Sequence, residues 1–600
     1  MLGRRFARRL ALGLMTLCAS PLFAAEAEAP DVAGARAVFE RNLDAIRARD
    51  RAAYLACYLD QAENFARTGD EGLSVGWAEF ARQAGSNWPD TFDASDLALV
   101  PVLPGLVYGT YRYRVRYADD EQTGVSERLF VHTPAGWRIT LTGAYLSRPG
   151  TPPPPRALVG ATLVDGTGAP PVANAVVLLR EGKIEGAGRG CVIPKGVETV
   201  DARGMWITPG LVDAHVHFSQ TGWADGRPDA LDVRDRYPYD KASADLKAHP
   251  ERFFRSQLCS GVTAVFDVGG YAWTVAMARA TAGTLAPHVA AAGPLLSTLD
   301  HWLNLPAERQ FMLLKDAESA RAGASYLRSI GSDAVKLWYI VRPDLTVEAS
   351  APAVVAAGEE AKKAGLPLIV HATGLAEAKS ALKAGAKLLV HGVSDVPVDE
   401  EFLSLAKKNG TIYCPTLTVL GGYLRMHRAA LSQTPPVVDD PNGCVDAGTL
   451  AKVAESAKVG TAGRAERIAA FEKRAADNDR NGYANLKRVF EAGIPVAMGT
   501  DAGNPLTLHG PSVYAEMEAM QAAGLTPMQV LVASTQGGAR AMGREKSFGT
   551  VAKGKEADLV VLAGDPTADI KNMRKLKWVV RGGVVRSVEE LKAMVAAGKW

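Results

Sequence analysis

The sequence predicts an α/β chain: a (β/α)8 barrel, a β-sandwich flanking it and built from both ends of the barrel part, and a small α+β domain in front. Three observations carry that prediction. Eight short apolar runs alternate with helical stretches between about 209 and 545, the rhythm a barrel of parallel strands requires. Strand-and-turn segments bracket this region at 157–208 and 546–600. A run of four prolines, Pro152 to Pro155, separates all of it from residues 31–148, whose pattern is different.

Taken in order, residues 1–24 read as an export signal. "MLGRRFARRL" carries four arginines and no acid, an apolar run continues to Leu17, and "SPLFAAEAEAP" offers small residues for cleavage near Ala24. The apolar part is too short for a spanning helix, so the expectation is an exported protein, periplasmic or secreted. In "VAGARAVFERNLDAIRARD", Val32, Ala35, Phe39, Leu43 and Ile46 recur at helical spacing. "YGTYRYRVRYADD" alternates Tyr111, Tyr113, Val115 and Tyr117 with three arginines, which describes a half-buried strand. "ERLFVHTPAGWRITLTGAY" reads as a hairpin turning at "TPAG". A helical front with an antiparallel sheet behind it resembles nuclear-transport-factor-2-like domains over 31–148, which implies an accessory or dimerising role. His132 in this part reads as a structural or exposed strand histidine. Residues 149–156 form a stiff linker, since consecutive prolines favour polyproline II.

Beyond the linker, "ALVGATLVDGTG", "AVVLLREGKIEGAG" and "VETVDARGMWITPG" are short strands with turns between them, and "EADLVVLAGDP" and "KWVVRGGVVRS" near the end match them. The eight barrel strands are "GLVDAH", "VTAVFD", "HVAAAG", "DAVKLW", "LPLIVH", "KLLVH", "TIYCPT" and "IPVAMGT". The longest interruption, about 417–490, is strongly helical and charged and is expected to cover the barrel mouth.

Composition narrows the function. Loss of residues 1–24 removes four arginines and no acid, leaving 64 basic against 65 acidic side chains. That balance gives no reason to expect a nucleic-acid or anionic-membrane partner, and no later apolar run is long enough to span a membrane. The five cysteines left after cleavage are scattered without a C-x-x-C. A disulfide among them is open in an oxidising compartment, but there is no disulfide framework.

In a barrel of this kind the chemistry collects where strands end, because the loops there converge on one face. His215 and His217 end strand one and project to the same side. Lys336 lies in strand four, His371 ends strand five, His391 ends strand six, and Asp501 follows strand eight in "GTDAG". Each alone has an ordinary explanation as a structural histidine, a snorkelling lysine or a turn aspartate. Together they form a set of imidazoles and carboxylate that suits a Zn²⁺-like ion.

"PGLVDAHVHF", Lys336, His371, His391 and "GTDAG", in that order, resemble the metal-dependent amidohydrolase superfamily. "HATG…AGAKLLVHG" and "AGLTPMQVLVASTQGGARAMG" are most similar to its imidazolonepropionase-like branch, which includes Xaa-Pro dipeptidase-like enzymes. The resemblance implies two divalent metal ions, usually zinc. His215, His217 and Asp501 would hold one, His371 and His391 the other, with an N6-carboxylated Lys336 between them. It further implies attack on a peptide or N-acyl-amino-acid C–N bond by a hydroxide the two ions share, Asp501 moving the proton to the leaving amine. The expected partner is a small molecule, a dipeptide or N-acyl amino acid, with homo-oligomerisation left open. His301, Tyr339, Arg342 and His509 are the loop residues proposed to contact substrate. Two alternatives remain at this point: a hydrolase of a cyclic amide or imidazolone ring, and an inactive barrel acting as a binding protein.

Overall fold

The computed structural model describes residues 29–60, 66–69, 72–84, 88–117, 120–147, 154–281, 285–300 and 308–598. The expected export signal and residues 149–153 of the linker lie outside them. The chain divides into two compact units, Met1–Thr151 and Pro152–Trp600.

The first unit packs one long helix, Pro30–Arg47, against a six-stranded sheet. Proline at the first helical turn, Asp31 beside it and Arg47 in the last turn all suit the helix termini. Val32, Ala35, Phe39, Leu43 and Ile46 are all buried, as their spacing predicts. The sheet runs Gly72–Val75, Ala66–Gly69, Gly136–Ser147, Asp120–Thr133, Leu106–Tyr117, Thr91–Leu103. Tyr111 and Val115 face inward while Arg112, Arg114 and Arg116 are exposed. Phe39 meets Tyr111 edge-on at 4.8 Å, in a core shared with Phe130 and Ile139. Thr133 pairs with Gly136 across a two-residue turn. His132 is exposed beside the Trp137 ring.

In the second unit the two flanks merge into a single eight-stranded sheet. Its order is Val584–Ser587, Leu576–Arg581, Leu559–Leu562, Trp206–Pro209, Arg156–Leu163, Val172–Arg180, Lys183–Gly188, and Glu198–Asp201 pairs along Arg156–Leu163. Trp206–Pro209 is the seam. It runs antiparallel to Leu559–Leu562 and parallel to Arg156–Leu163, so strands more than 350 residues apart share one ladder. Leu158, Val177, Ile184, Ile207, Val561 and Val580 give this sheet its own core, each adding roughly 1.5–3 kcal/mol by burial.

The barrel follows directly. Leu211–Val216, Val262–Asp267 and His288–Ala291 are its first three strands, the third continuing into Leu295–Ser297. Val335–Trp338, Leu368–His371, Leu388–Val390 and Ile412–Cys414 are strands four to seven, all parallel. Strand eight, around 494–500, differs from expectation. It makes a single bridge, Val496 to Tyr413, with further bonds from Tyr413 N–H to Pro495 O and from Ala214 N–H to Met498 O. Pro495 has no N–H to contribute, so a full ladder cannot form there. These bonds still place the segment between strands seven and one and close the barrel.

Strand alternation sorts the side chains into two layers. Ala214, Phe266, Ile369, Leu388, Cys414 and Ala497 form an inner cluster drawn from strands around the barrel. Leu368 and Val370, neighbours of Ile369, join the outer core instead, with Val354 and Ala357 of the helix Val347–Ala364. Gly499 lets strand eight come this close: a Cβ there would lie 2.5 Å from Cys414 Sγ and 2.7 Å from His215 Cβ.

Between strands seven and eight lie the helices Val419–Ser432, Ala447–Ala454, Arg464–Asp477 and Tyr483–Glu491. A disulfide from Cys444 to Cys259 ties this insertion to the helix Glu251–Cys259, 185 residues away in sequence. No helix among the described residues is long and apolar enough to cross a membrane.

Candidate metal centre

The strand ends deliver six polar side chains to one cavity of about 700 Å³. His215, His217, Lys336, His371, His391 and Asp501 all line it, a size within the usual range for small-molecule sites. The ligand atoms of His215, His217 and Asp501 all lie within 4.8 Å of one another. Asp501 Oδ1 is 3.0 Å from His217 Nε2 and 3.3 Å from His215 Nε2, and Asp501 Oδ2 is 3.9 Å from His391 Nε2. The His371 and His391 rings meet edge-on at 4.2 Å, and His215 and His391 at 4.9 Å.

The surroundings orient these groups. His217 Nδ1–H donates to Gly269 O at 2.6 Å, which turns its Nε2 lone pair into the cavity. His391 Nδ1 pairs with Thr416 Oγ1 at 2.8 Å. His391, Thr416 and Asp501 all have positive φ, of 73°, 44° and 63°, a strained backbone that packing must hold and that concentrates at functional sites.

Two of the six carry buried polar atoms with no hydrogen-bond partner: both ring nitrogens of His215, and Asp501 Oδ1. Leaving such atoms unmet costs about 1–3 kcal/mol each, and a divalent cation would meet His215 Nε2 and Asp501 Oδ1, which lie 3.3 Å apart. The protonation states agree. Burial first, then neighbouring positive charge, holds His215, His371 and His391 well below the ordinary histidine pKa, so they are neutral donors. Burial also lowers Lys336 to about 8, against the opposing pull of Asp501. At Asp501 burial acts to raise the carboxyl, but the neighbouring His217, His391 and Lys336 outweigh it and keep it ionised. The residues present therefore fit a divalent metal.

Three of the four residues proposed for substrate contact do not line this cavity. Tyr339 is buried in the outer core, its hydroxyl 3.0 Å from Ser350 Oγ and 3.4 Å from Ser380 Oγ. Lys336 and Trp338 share a strand face and line the cavity, so the next residue points outward to the helices. Arg342 forms an ion pair with Asp344 at 3.0 Å and is not among the residues lining the cavity. His509 is packed between Phe218 and Phe253 with ring separations of 5.1 and 4.2 Å, and burial lowers its pKa to about 3. His301 lies outside the described residues.

The structure adds residues that spacing alone did not reveal. Asp213, two residues before His215, accepts the Thr500 N–H at 3.0 Å, the Thr500 hydroxyl at 2.6 Å and the His215 N–H at 3.2 Å. It locks strand one to the turn that carries Asp501. Its place in the same strand period as the histidines was the available signal. Glu516 anchors the start of the insertion through Leu417 N–H and Thr418 N–H. Tyr423, Phe471 and Arg474 from the insertion line the cavity wall.

The amidohydrolase family model matches residues 206–586. Imidazolonepropionase of Anaeromyxobacter sp. strain K is 27% identical over 374 residues, 61% of this chain and 77% of that protein. The imidazolonepropionase of Porphyromonas gingivalis strain W83 is 24% identical over 414 residues, 65% and 83% of the two chains. Among solved structures, a Xaa-Pro dipeptidase with methionine bound in its active site superimposes with a TM-score of 0.53 at 21% identity, covering 72% of this chain and all of that one. Ochratoxinase of A. niger gives a TM-score of 0.54 at 22% identity, covering 72% and 95%. At these identities the structural likeness speaks for the shared fold, a barrel with a β-sandwich. Barrel, rim and family model agree: the chain belongs to the amidohydrolase family and is a hydrolase acting on carbon–nitrogen bonds.

Proposed function

We propose that this protein hydrolyses a peptide or N-acyl-amino-acid bond at a site holding two divalent metal ions, with zinc the ion best matched to its ligands. The observation that carries the reading is the convergence of four histidines, one lysine and one aspartate from five barrel strands on one cavity, with the buried nitrogens of His215 left unpaired. In this reading His215, His217 and Asp501 would hold one ion and His371 and His391 the other, with an N6-carboxylated Lys336 as their shared ligand. A lysine brought down to about 8 is partly a neutral amine at neutral to mildly alkaline pH, the form that adds carbon dioxide. Bound ions supply Lewis acidity toward the scissile carbonyl and make water a better acid.

The remaining work falls to the chain itself. Asp501 takes the proton from the attacking water and returns it to the departing amine. Asp213 and Thr500 fix Asp501 for that transfer. Trp338, Tyr423 and Phe471 give the cavity the apolar wall that keeps bulk water from the acyl group. The Xaa-Pro dipeptidase likeness supports a peptide or acyl-amino-acid substrate, and the imidazolonepropionase relatives support a cyclic amide as the second reading.

Export to an oxidising compartment is part of the proposal, supported by the disulfide Cys259–Cys444. The first unit is read as a nuclear-transport-factor-2-like accessory domain on its helix-and-sheet pattern.

The test is a panel of dipeptides, N-acyl amino acids and cyclic amides, followed by amine or ring-opened product, with and without a chelator. Chelator-sensitive release of an amino acid from the linear substrates is expected. Turnover confined to the cyclic amides overturns the linear reading.

A further inference from the structure

Among the described residues, two cations on the cavity wall have no hydrogen-bond or ion-pair partner. Every carboxylate lining it, apart from Asp501, already has a partner in the protein. Asp229 takes a two-pronged contact from Arg227, with Nε to Oδ1 at 2.8 Å and Nη2 to Oδ2 at 2.7 Å. Glu377 accepts the Gly374 N–H, Asp395 accepts the N–H groups of Leu375 and Val396, and Asp477 pairs with Arg480. Among the cations, Arg227 is thus occupied. Arg467 and Arg474 are not: among the described residues neither side chain has a hydrogen bond or ion pair.

Both belong to the helix Arg464–Asp477 and line the cavity. They are two turns apart, roughly 10 Å along the axis, on the same face, with Phe471 between them. Other arginines of the insertion are paired, Arg428 with Glu472 and Arg480 with Asp477, so the helix has acids at hand that do not turn toward these two. Arg474 is also held in place. Its guanidinium lies over the Phe471 ring at 5.8 Å, Phe471 stacks on Tyr423 at 5.3 Å, and Arg227 covers Tyr423 at 5.7 Å.

We propose that Arg474 and Arg467 form an anion clamp on the cavity wall, and that the substrate is an amide whose amino-acid part keeps a free carboxylate directed at these two guanidinium groups. Guanidinium matches carboxylate in shape and charge, and two guanidinium groups on a cavity wall with no carboxylate of their own favour an anionic ligand over its neutral isostere. The inference rests on the reading of the site as an amide hydrolase of peptides or N-acyl amino acids.

Two measurements separate the claims. In the first, zinc-loaded protein is titrated calorimetrically with N-acetyl-L-alanine and, separately, with N-acetyl-L-alaninamide. The acid is expected to bind at least about tenfold more tightly, and added salt should weaken only the acid. Arg474→Gln removes most of that preference, Arg467→Gln part of it, and Arg474→Lys restores some, with the amide's affinity and the melting temperature unchanged. Equal binding of acid and amide by the unmodified protein overturns the clamp, as does a preference that survives both glutamine substitutions. In the second, dipeptides are compared with their C-terminal amides as substrates. Equal turnover of acids and amides overturns the clamp while the hydrolase reading stands. No turnover of either, alongside an acid preference in binding that the substitutions abolish, overturns the hydrolase reading and leaves the clamp standing.

Discussion

At position 501 a carboxylate is held on left-handed backbone, φ 63°, with one oxygen 3.0 Å from His217 Nε2. Asparagine tolerates that conformation and keeps the side-chain shape, so Asp501→Asn isolates the proton-transfer role. Most of the metal should remain while turnover falls by at least about 10²-fold. Near-normal turnover in a metal-replete sample removes Asp501 from that role. Lys336→Ala takes away the group proposed to span the two ions, and elemental analysis should find fewer than two per chain; two ions in that variant rule out the bridge. The candidate ligands were legible because a strand end fixes both where a side chain is and which way it points. The substrate contacts were not. The parity that sends Lys336 and Trp338 into the cavity sends Tyr339 outward, whereas a loop residue such as Arg342 has no parity to read. Arg467 and Arg474 lay in a stretch whose helices were evident but whose cavity-facing side depends on how the insertion packs.

The elements show a similar division. Seven barrel strands follow their apolar runs, and the eighth is reduced to a bridge at Val496, beside Pro495, which has no N–H to give. The flanking strands were visible as strands and the family resemblance implied that the two ends join, whereas the pairing that joins them, Trp206–Pro209 with Leu559–Leu562, is encoded by no local pattern. That sheet is joined to the barrel by a buried charge cluster. Asp558 accepts from His288 Nε2 at 2.8 Å and lies 3.3 Å from Arg581 Nη1. Burial acts to raise its pKa, but Arg581 and then His288 override it and hold the carboxyl below its ordinary value. The stability it gives is present above the unfolded carboxylate pKa of about 4 and is lost as pH falls through the lower folded value. Asp558→Asn should cost roughly 3 kcal/mol by leaving Arg581 without its buried partner, and should flatten the acid limb of the melting-temperature profile; an unchanged profile removes the cluster from the account. The disulfide acts on another element. Cys444→Ser should cost about 2–4 kcal/mol in melts followed with and without reductant, and reductant should have no further effect on the variant.

For the whole molecule, each compact unit has an apolar core of its own. A chain of residues 152–600 is therefore expected to fold, bind metal and keep the hydrolytic activity of the full protein. Loss of metal binding in that shortened chain ties the centre to the first unit. In the barrel unit the residues proposed to do the chemistry and those proposed to choose the substrate lie in separate stretches of sequence. The first sit at strand ends, on a scaffold that tolerates little change: Gly499 has no room for a Cβ, and His391 and Asp501 need unusual backbone. The second ride on one insertion between strands seven and eight. A lineage carrying this barrel can therefore acquire a new diet by rewriting the face of a single helix, Arg464–Asp477, while the catalytic vocabulary inherited at the rim stays word for word the same.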